Sequence, residues 1–285
     1  MDDFAVFILT HGRPDNVITY ASLQKHGYTG RVYLIVDNED KAIDEYLRIY
    51  GDKVIVFDKL AAAETTDAGD NFDNRRSVLY ARNASFEIAQ SLGLRYFLQL
   101  DDDYKQFVWK FTSDLVYKEK PVKSLDRLFA EMIRYYQRIP AATIALAQNG
   151  DFIGGGKGSG GAKVATKRKA MNTFFCSTER PFEFMGRLND DVNTYVVHGN
   201  RGKLLLTVFN AAIIQMQTQQ NTGGLTAAYL DYGTYVKSFY TVMYCPSCVK
   251  VSEMGDKHRR IHHKIRWNNA VPCIVGEQWR KSDLG

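Results

Sequence analysis

The sequence has few cysteines and lacks a long apolar run. Its 285 residues include four cysteines, too few to crosslink a chain of this size, so we expect a protein of the reducing cytoplasm. The longest apolar stretch, residues 204–216, is interrupted by Asn210 and is shorter than the ~18 residues of a transmembrane helix. The chain starts with Met1, Asp2 and Asp3 instead of the basic segment of a signal peptide. We therefore expect neither secretion nor a membrane span.

Neither sign of charge dominates. The 37 Lys and Arg residues exceed the 32 Asp and Glu residues, which gives a net charge of +5. This surplus is too small for a histone-like wrapping protein, but it permits a polyanionic partner. Apolar residues make up 45% and charged residues 24% of the chain, which is typical of a folded globular protein and argues against disorder. The length suits one large α/β domain or two small ones.

Strand and helix patterns alternate through the first hundred residues. Continuous apolar runs predict buried strands at 4–10, 31–37, 53–57 and 96–100. Helical patterns lie between them, at 16–26, 41–50 and 75–92. Asn16 is in a position to cap the first of these helices. The alternation predicts an α/β fold of the doubly wound type, in which ligands bind at the carboxyl ends of parallel strands.

The second half of the sequence is less regular. Its patterns predict a hairpin at 106–117, a helix at 124–139 and a strand at 143–147, followed by a Gly-rich segment at 154–161. That segment lacks the Lys-Ser/Thr of a Walker A loop, so either a mobile flap over a ligand or a plain surface loop is expected. More apolar segments follow without a linker, and we expect a single domain over residues 1–285.

Three consecutive aspartates follow the fourth predicted strand. In the segment 98–104 (LQLDDDY), side-chain alternation directs Asp101 and Asp103 to one side and Asp102 to the other. Like charges this close repel one another, so the cluster needs basic neighbours or a cation. A solvated acidic turn is the alternative. The preceding apolar strand instead favours a site for a hard divalent cation at the edge of the sheet.

Further motifs accompany the aspartates in a fixed order. They are THGRP at 10–14, Asp37 at the end of the second strand, ARN at 81–83, MNTFF at 171–175, RLNDDVN at 187–193 and HHKIRWNNAVP at 262–272. This ordered set resembles the TET-associated glycosyltransferases, which are encoded largely by bacteriophages and add sugars to hydroxymethylated pyrimidines in DNA. The resemblance implies a GT-A glycosyltransferase fold with a mostly parallel, helix-flanked sheet. Residues 1–104 would then bind a nucleotide sugar, and residues 105–285 would face the acceptor.

The family's site residues transfer to matching positions in this chain. The resemblance assigns binding of a UDP-sugar to Thr10, Arg13, Asp37, Arg82, Asp101 and Asp102. It assigns a Mn²⁺ or Mg²⁺ ion to Asp103 and Asp101 together with His263 or His262. The cation and Arg82 would offset the negative charge that the departing nucleoside diphosphate gains.

An acidic pair, Asp190 and Asp191, matches the position near the sugar that GT-A enzymes use as general base or as a ligand of sugar hydroxyls. An inverting reaction needs a carboxylate that accepts the acceptor's proton, whereas a retaining reaction does not. We favour Asp191 as the base, because the dipole of a helix that begins near Asp190 would keep its carboxylate ionised. Glu183 is the next candidate, and His11 is expected to be a loop residue near the site.

Two basic clusters flank the expected acceptor side. The first contains Lys163, Lys167, Arg168 and Lys169, and the second contains residues 257–260 with Lys264 and Arg266. A run of charge is often only a solvated face. Two such clusters predict contacts with DNA phosphates, and the residues expected to make them are Lys167, Arg168, Lys169, Arg259 and Arg260.

A Cys-x-x-Cys pair, Cys245 and Cys248, is half of a possible zinc site. Because no second pair of metal ligands has matching spacing, we expect buried thiols in preference to structural zinc or redox chemistry.

The expected activity is metal-dependent transfer of a sugar from a UDP-sugar to a 5-hydroxymethylpyrimidine, first of all 5-hydroxymethylcytosine, in bacteriophage DNA. A monomer acting in the host cytoplasm is expected. A GT-A enzyme for a glycan or small-molecule acceptor is the alternative, and the sugar and the stereochemical course stay open. A DNA-binding or inhibitory module with a decayed site is a third possibility, which Asp101, Asp103 and Arg82 oppose.

Overall fold

The computed structural model describes residues 2–71, 75–152, 155, 164–165, 167, 170–171, 173–216, 235–254 and 259–272. In chain order, strands β1 to β12 are Phe4–Leu9, Arg31–Asp37, Val54–Phe57, Tyr96–Asp101, Tyr104–Phe111, Tyr117–Pro121, Ala141–Gln148, Val164–Ala165, Thr173–Ser177, Leu204–Gln215, Val249–Met254 and Arg260–Ile265. Helices α1 to α8 are Ile18–Lys25, Ile43–Tyr50, Lys59–Glu64, Leu79–Ser91, Leu125–Gln137, Asp190–Asn200, Val236–Tyr244 and Trp267–Ala270.

Ten of the strands form one sheet in the order β3-β2-β1-β4-β9-β7-β10-β5-β6, with β8 paired to β10. The first four strands in this order are mutually parallel. Strands β5, β8 and β9 run antiparallel to their neighbours, so the other seven strands point in one direction. The predicted α/β class with a mostly parallel sheet is confirmed. None of the helices in the described ranges is long and apolar enough to cross a membrane.

Strand β1 shows why a continuous apolar run forms a central strand. All six of its residues are buried, and their side chains alternate between two cores. Phe4, Val6 and Ile8 pack into the core on one face of the sheet, and Ala5, Phe7 and Leu9 pack into the core on the other. A strand that is covered on both faces needs apolar residues at every position. The site at its carboxyl end is therefore built on a rigid element.

Helix α1 begins differently from the prediction. Residues Pro14–Asn16 form a 3₁₀ turn, Val17 is the N-cap residue, and no side chain caps the helix, so the predicted Asn16 cap is wrong. The buried Thr19 has a related function, because its N–H donates to the Asp102 carbonyl at 3.0 Å and its hydroxyl donates to the Asp101 carbonyl at 2.6 Å. The first turn of α1 thus satisfies the Thr19 amide on the backbone of the aspartate cluster, and this contact holds the aspartate turn in place.

The remaining predicted elements of the second half are present, with shifted ends. The predicted hairpin corresponds to β5 and β6, the predicted helix to α5 and the predicted strand to β7. Strands β11 and β12 form a separate antiparallel pair, which we call the C-terminal ribbon, and α7 packs against both of its strands. The sequence patterns do not predict this ribbon.

Candidate active site

The predicted acidic cluster lies at the carboxyl end of β4, next to the end of β1. Asp102 is buried, and its Oδ2 atom accepts a 2.7 Å hydrogen bond from the Thr10 hydroxyl. The Nε atom of Arg13 lies 3.0 Å from the same oxygen. Burial raises the pKa of Asp102, against the opposing effects of Arg13 and Thr10. The structure thus brings three of the predicted donor-site residues together.

A buried tyrosine outside the sequence motifs fixes this group. The Tyr46 hydroxyl lies 2.9 Å from the Thr10 hydroxyl and accepts a 3.0 Å hydrogen bond from the Arg13 N–H. Because Thr10 donates its proton to Asp102, Tyr46 must be the donor toward Thr10. Burial raises the pKa of Tyr46 to about 12, so this proton stays in place. In the sequence, Tyr46 is one aromatic residue of an amphipathic helix, and nothing distinguishes it from an ordinary core residue.

A second polar group surrounds Asp37 at the end of β2. The Asp37 carboxylate lies 2.7 Å from Nδ1 of His11 and 3.2 Å from Nζ of the buried Lys59. Burial would raise the pKa of Asp37, but His11 and Lys59 lower it more, so the net shift is downward. The hydrogen bond from His11 to Asp37 also raises the pKa of the His11 ring. Asp40 accepts a 2.6 Å hydrogen bond from the Gly12 N–H beside them. Neither Lys59 nor Asp40 belongs to a motif that the sequence marks as functional.

Arg82 joins the aspartate cluster to the acidic pair at the start of α6. Its Nη2 atom donates to Asp101 at 2.9 Å and its Nε atom donates to Asp190 at 2.8 Å. The side chain is buried, and its guanidinium carbon lies 5.0 Å from the Phe174 ring centroid and 5.6 Å from that of Phe184. Two of the three guanidinium nitrogens are therefore bound to carboxylates, and a contact of Arg82 with the diphosphate stays a prediction.

The two predicted catalytic aspartates occupy the first turn of α6, which begins at Asp190 as predicted. Asp190 is buried, whereas Asp191 is half-buried. Burial and the charges of Asp191 and Asp101 raise the pKa of Asp190, although Arg82 lowers it. Burial and Asp191 likewise raise the pKa of Asp101, again against Arg82. The carboxylates of Asp101, Asp190 and Asp191 therefore share one electrostatic site, which holds more negative charge than Arg82 neutralises.

Asp103 has an unsatisfied carboxylate oxygen. Its Oδ1 atom is buried and has no hydrogen-bond partner among the described residues. Burial, followed by the charges of Asp101 and Asp102, raises the pKa of Asp103 to about 7. A divalent cation would relieve both the missing contact and the repulsion. In the described ranges no three His, Cys, Asp or Glu side chains are grouped as a complete metal site. These residues fit a Mn²⁺ or Mg²⁺ ion that takes one or two carboxylates from the protein and its other ligands from phosphates and water.

The C-terminal ribbon brings the predicted histidines to the start of α6. His263 is buried, and its Nδ1 atom lies 3.4 Å from Nδ2 of Asn189, the N-cap residue of α6. The His262 and His263 rings lie with their centroids 4.1 Å apart. Asn189 has a left-handed backbone with φ of 64°, and its amide donates a 2.6 Å hydrogen bond to Thr241. The role of His262 or His263 as a metal ligand stays a prediction.

The predicted DNA-binding residues are only partly covered by the described residues. Lys167 is exposed and donates to Asn268 at 2.5 Å, and Arg259 is exposed with a nitrogen 3.6 Å from the Glu253 carboxylate. Arg168, Lys169, the side chain of Arg260 and the predicted Gly-rich flap, apart from Gly155, lie outside the described residues.

The Cys-x-x-Cys pair lies in the turn between α7 and β11. Cys245 and Cys248 are buried free thiols, and the Ser247 hydroxyl lies 3.8 Å from the Cys245 sulfur and 3.7 Å from the Cys248 sulfur.

The fold and this site together define an α/β protein whose functional side chains gather at the carboxyl ends of its parallel strands and at one helix N-terminus. The chain belongs to the TET-associated glycosyltransferase family, whose model matches residues 4–224. The resemblance inferred from the motifs is therefore confirmed, and with it the glycosyltransferase class. The C-terminal ribbon and its histidines lie beyond the matched residues.

Several solved structures are similar to this chain at low identity. The structure of S. aureus TarS 1–349 in complex with UDP is 13% identical in sequence and has a TM-score of 0.46. The match covers 85% of this chain and 65% of the TarS chain. Glucosyl-3-phosphoglycerate synthase from Mycobacterium tuberculosis with Mg²⁺ and UDP is 10% identical with a TM-score of 0.48, covering 92% of this chain and 87% of its own. The mannosyltransferase PcManGT from Pyrobaculum calidifontis with GDP-Man and Mn²⁺ is 11% identical with a TM-score of 0.48, and the match covers 86% of this chain and 74% of that chain. Nothing among the curated proteins matches the sequence.

Proposed function

We propose that this protein is a metal-dependent glycosyltransferase that moves a sugar from a UDP-sugar to the hydroxymethyl group of a 5-hydroxymethylpyrimidine in DNA, with 5-hydroxymethylcytosine in bacteriophage DNA as the first acceptor to test. Family membership supports the reaction class. The observation that carries the proposal is the buried, unpartnered Oδ1 atom of Asp103 in a cluster that Arg82 connects to the first turn of α6. Asp103 and the acidic start of α6 thereby belong to one cluster of carboxylates around Arg82.

The donor would lie across the ends of β1, β2 and β4. Asp37 offers a carboxylate for ribose hydroxyls, and His11 and Lys59 keep that carboxylate ionised. The network from Tyr46 through Thr10 to Asp102 fixes the loop that carries Arg13. Arg13 contacts Asp102 through Nε, so its terminal nitrogens are left for the base or phosphates of the nucleotide. These residues bind and orient the donor.

Asp103 would hold the divalent cation, with Asp101 and the predicted His263 or His262 as the additional candidates that the sequence indicates. When bound, the cation supplies positive charge that offsets the charge of the departing diphosphate. Arg82 acts as a positioning residue, because it holds Asp101 and Asp190 in one geometry and so fixes the first turn of α6.

Asp191 is the proposed acceptor-side carboxylate. Asp190 is committed to Arg82 and is buried, whereas Asp191 is more accessible. In an inverting transfer, the hydroxymethyl oxygen attacks the anomeric carbon, its proton passes to Asp191, and the bond between that carbon and UDP breaks. In a retaining transfer, the same carboxylate would bind sugar hydroxyls.

The proposal is tested by incubating the protein with duplexes that contain 5-hydroxymethylcytosine, 5-hydroxymethyluracil or unmodified cytosine and a panel of UDP-sugars, with Mn²⁺ or EDTA. Digestion to nucleosides and mass spectrometry should show a sugar on a hydroxymethylated base only, and only with the metal. Asp103→Asn should abolish transfer, while Asp114→Asn, at an exposed carboxylate in the loop after β5, should not. Transfer to glycans or small molecules with none to DNA would overturn the acceptor, and full activity in EDTA would overturn the metal.

A further inference from the structure

The C-terminal ribbon has two chemically different faces. Side chains that are directly opposite in an antiparallel pair lie on the same face, and successive residues alternate between faces. Val249 is opposite Ile265 and Val251 is opposite His263, and this inner face carries the buried Val249 and His263. The outer face carries the exposed cross-strand pair of Lys250 with Lys264.

The outer face concentrates positive charge without internal compensation. Lys250 and Lys264 are exposed and directly opposite each other, and neither forms an ion pair within the described part of the chain. Like charges at directly opposite positions destabilise a two-stranded pair. Arg266 follows immediately after β12 and is exposed as well. The ribbon thus keeps a repulsive arrangement that a polyanion would convert into an attractive one.

We propose that the outer face of the C-terminal ribbon binds the phosphate backbone of the nucleic acid acceptor through Lys250, Lys264 and Arg266. The inference rests on the proposed function, and it adds Lys250 and an ordered two-stranded surface to the basic residues that the sequence indicates. A two-stranded ribbon has dimensions that a DNA groove admits. Charge complementarity selects phosphates, since these side chains carry no information that reads a base.

The position of the ribbon connects this surface to the active site. Its inner face contacts the start of α6, where Nδ1 of His263 lies 3.4 Å from Nδ2 of Asn189, the residue before Asp190. A phosphate backbone that is bound through Lys250 and Lys264 is therefore held by the same ribbon that contacts the start of α6. The ribbon would place the acceptor, while the carboxylates perform the chemistry.

The experiment measures binding of a fluorescent 5-hydroxymethylcytosine duplex by anisotropy between 50 and 200 mM salt. The test variant is Lys250→Gln with Lys264→Gln, which removes two charges and keeps side-chain length. The control is Lys25→Gln with Lys123→Gln. Lys25 is the last residue of α1, and this helix starts at the aspartate cluster and runs away from it. Both control lysines are exposed, and they lie near the hydrogen bond from the Leu125 N–H to the His26 carbonyl. Thermal unfolding verifies that both variants fold.

Each phosphate contact contributes about 0.9 to the slope of log affinity against log salt, so the ribbon variant should flatten the slope by about 1.8. Its affinity would then fall about tenfold less than that of the wild type over this salt range. The control should keep the wild-type slope. An unchanged slope in the ribbon variant, with the wild type still glycosylating DNA, would overturn the ribbon surface and leave the proposed function intact.

Two other outcomes separate the hypotheses. If the wild type binds DNA with a ribbon-dependent slope but transfers no sugar to it, the ribbon surface stands and the proposed acceptor chemistry fails. If vesicles with 30% phosphatidylserine compete as strongly as DNA at equal phosphate, the surface is a general anion site and the nucleic acid assignment is overturned.

Discussion

Replacing Asp103 with Asn should stabilise the protein in the absence of metal while destroying its activity. Burial and the neighbouring aspartates raise the pKa of Asp103 from 3.8 to about 7. Between these two values the folded chain binds a proton that the unfolded chain releases, so stability conferred at low pH is lost as the pH rises through the folded pKa. A pKa shift of about three units corresponds to roughly 4 kcal/mol in the free energy of unfolding, and solvent screening of the partly exposed side chain reduces this to about 2 kcal/mol.

Thermal unfolding in EDTA at pH 8 and at pH 4 measures this effect. A gain of about 2 kcal/mol raises the Tm of a chain of this size by about 4 °C, so Asp103→Asn should melt about 4 °C above the wild type at pH 8. At pH 4 the difference should nearly vanish, because the wild-type carboxyl is then largely protonated. In the presence of UDP, adding Mn²⁺ should raise the Tm of the wild type further and leave the Tm of the variant unchanged, since a ligand stabilises only the state that binds it.

The matched control is Asp114→Asn, because Asp114 is an exposed aspartate in the loop between β5 and β6. It should retain the wild-type response to pH and metal. A variant Asp103→Asn that is less stable than the wild type at pH 8, or that still gains stability from Mn²⁺, would refute the reasoning. In that case the unpartnered oxygen of Asp103 would not be a cation ligand.

Three further predictions concern the architecture around this cluster. Arg82→Gln leaves the carboxylates of the buried Asp190 and the half-buried Asp101 without their partner, and it should lower the free energy of unfolding in urea by about 3–5 kcal/mol. A loss below 1 kcal/mol would contradict the ion-pair network. Asp191→Asn should reduce the single-turnover rate of transfer by ~10²-fold or more without loss of stability. Asp190→Asn should instead lower the stability of the fold. If both variants keep the wild-type rate, the base lies elsewhere, and Glu183 is the next candidate. Gly199→Ala should destabilise by about 1–3 kcal/mol, although alanine normally favours helices, because a Cβ there would lie 2.1 Å from the Ala270 carbonyl oxygen. Gly150→Ala, where a Cβ meets open space, is the control, and a stabilised Gly199→Ala would contradict the tight packing of α6 on α8.

Local patterns were sufficient for the elements that hold the site. Strands β1, β2 and β4 are covered on both faces of the sheet, so nearly every position in them is apolar and the strands are visible as continuous apolar runs in the sequence. The ends of parallel strands share one edge of the sheet, which is why Asp37 and Asp101 could be assigned to the same edge from the sequence. The start of α6 at Asp190 was also predictable, because a helix start has a local signature of acidic residues.

The partners of these residues were decided only by tertiary structure. Arg82 reaches Asp190 across 108 positions and Thr10 reaches Asp102 across 92, and no local periodicity encodes contacts of that separation. Thr19 replaces the expected Asn16 cap because its amide and hydroxyl meet the backbone of a turn more than 80 residues away. The ribbon likewise depends on which face of each strand meets α6 and α7. The sequence by itself determined which chemical groups are present and at which strand ends they lie, because those follow from burial and alternation. The folded chain decided which carboxylates Arg82 neutralises and which of them keeps an oxygen without a partner among the described residues, because charge pairing depends on distances that only packing sets.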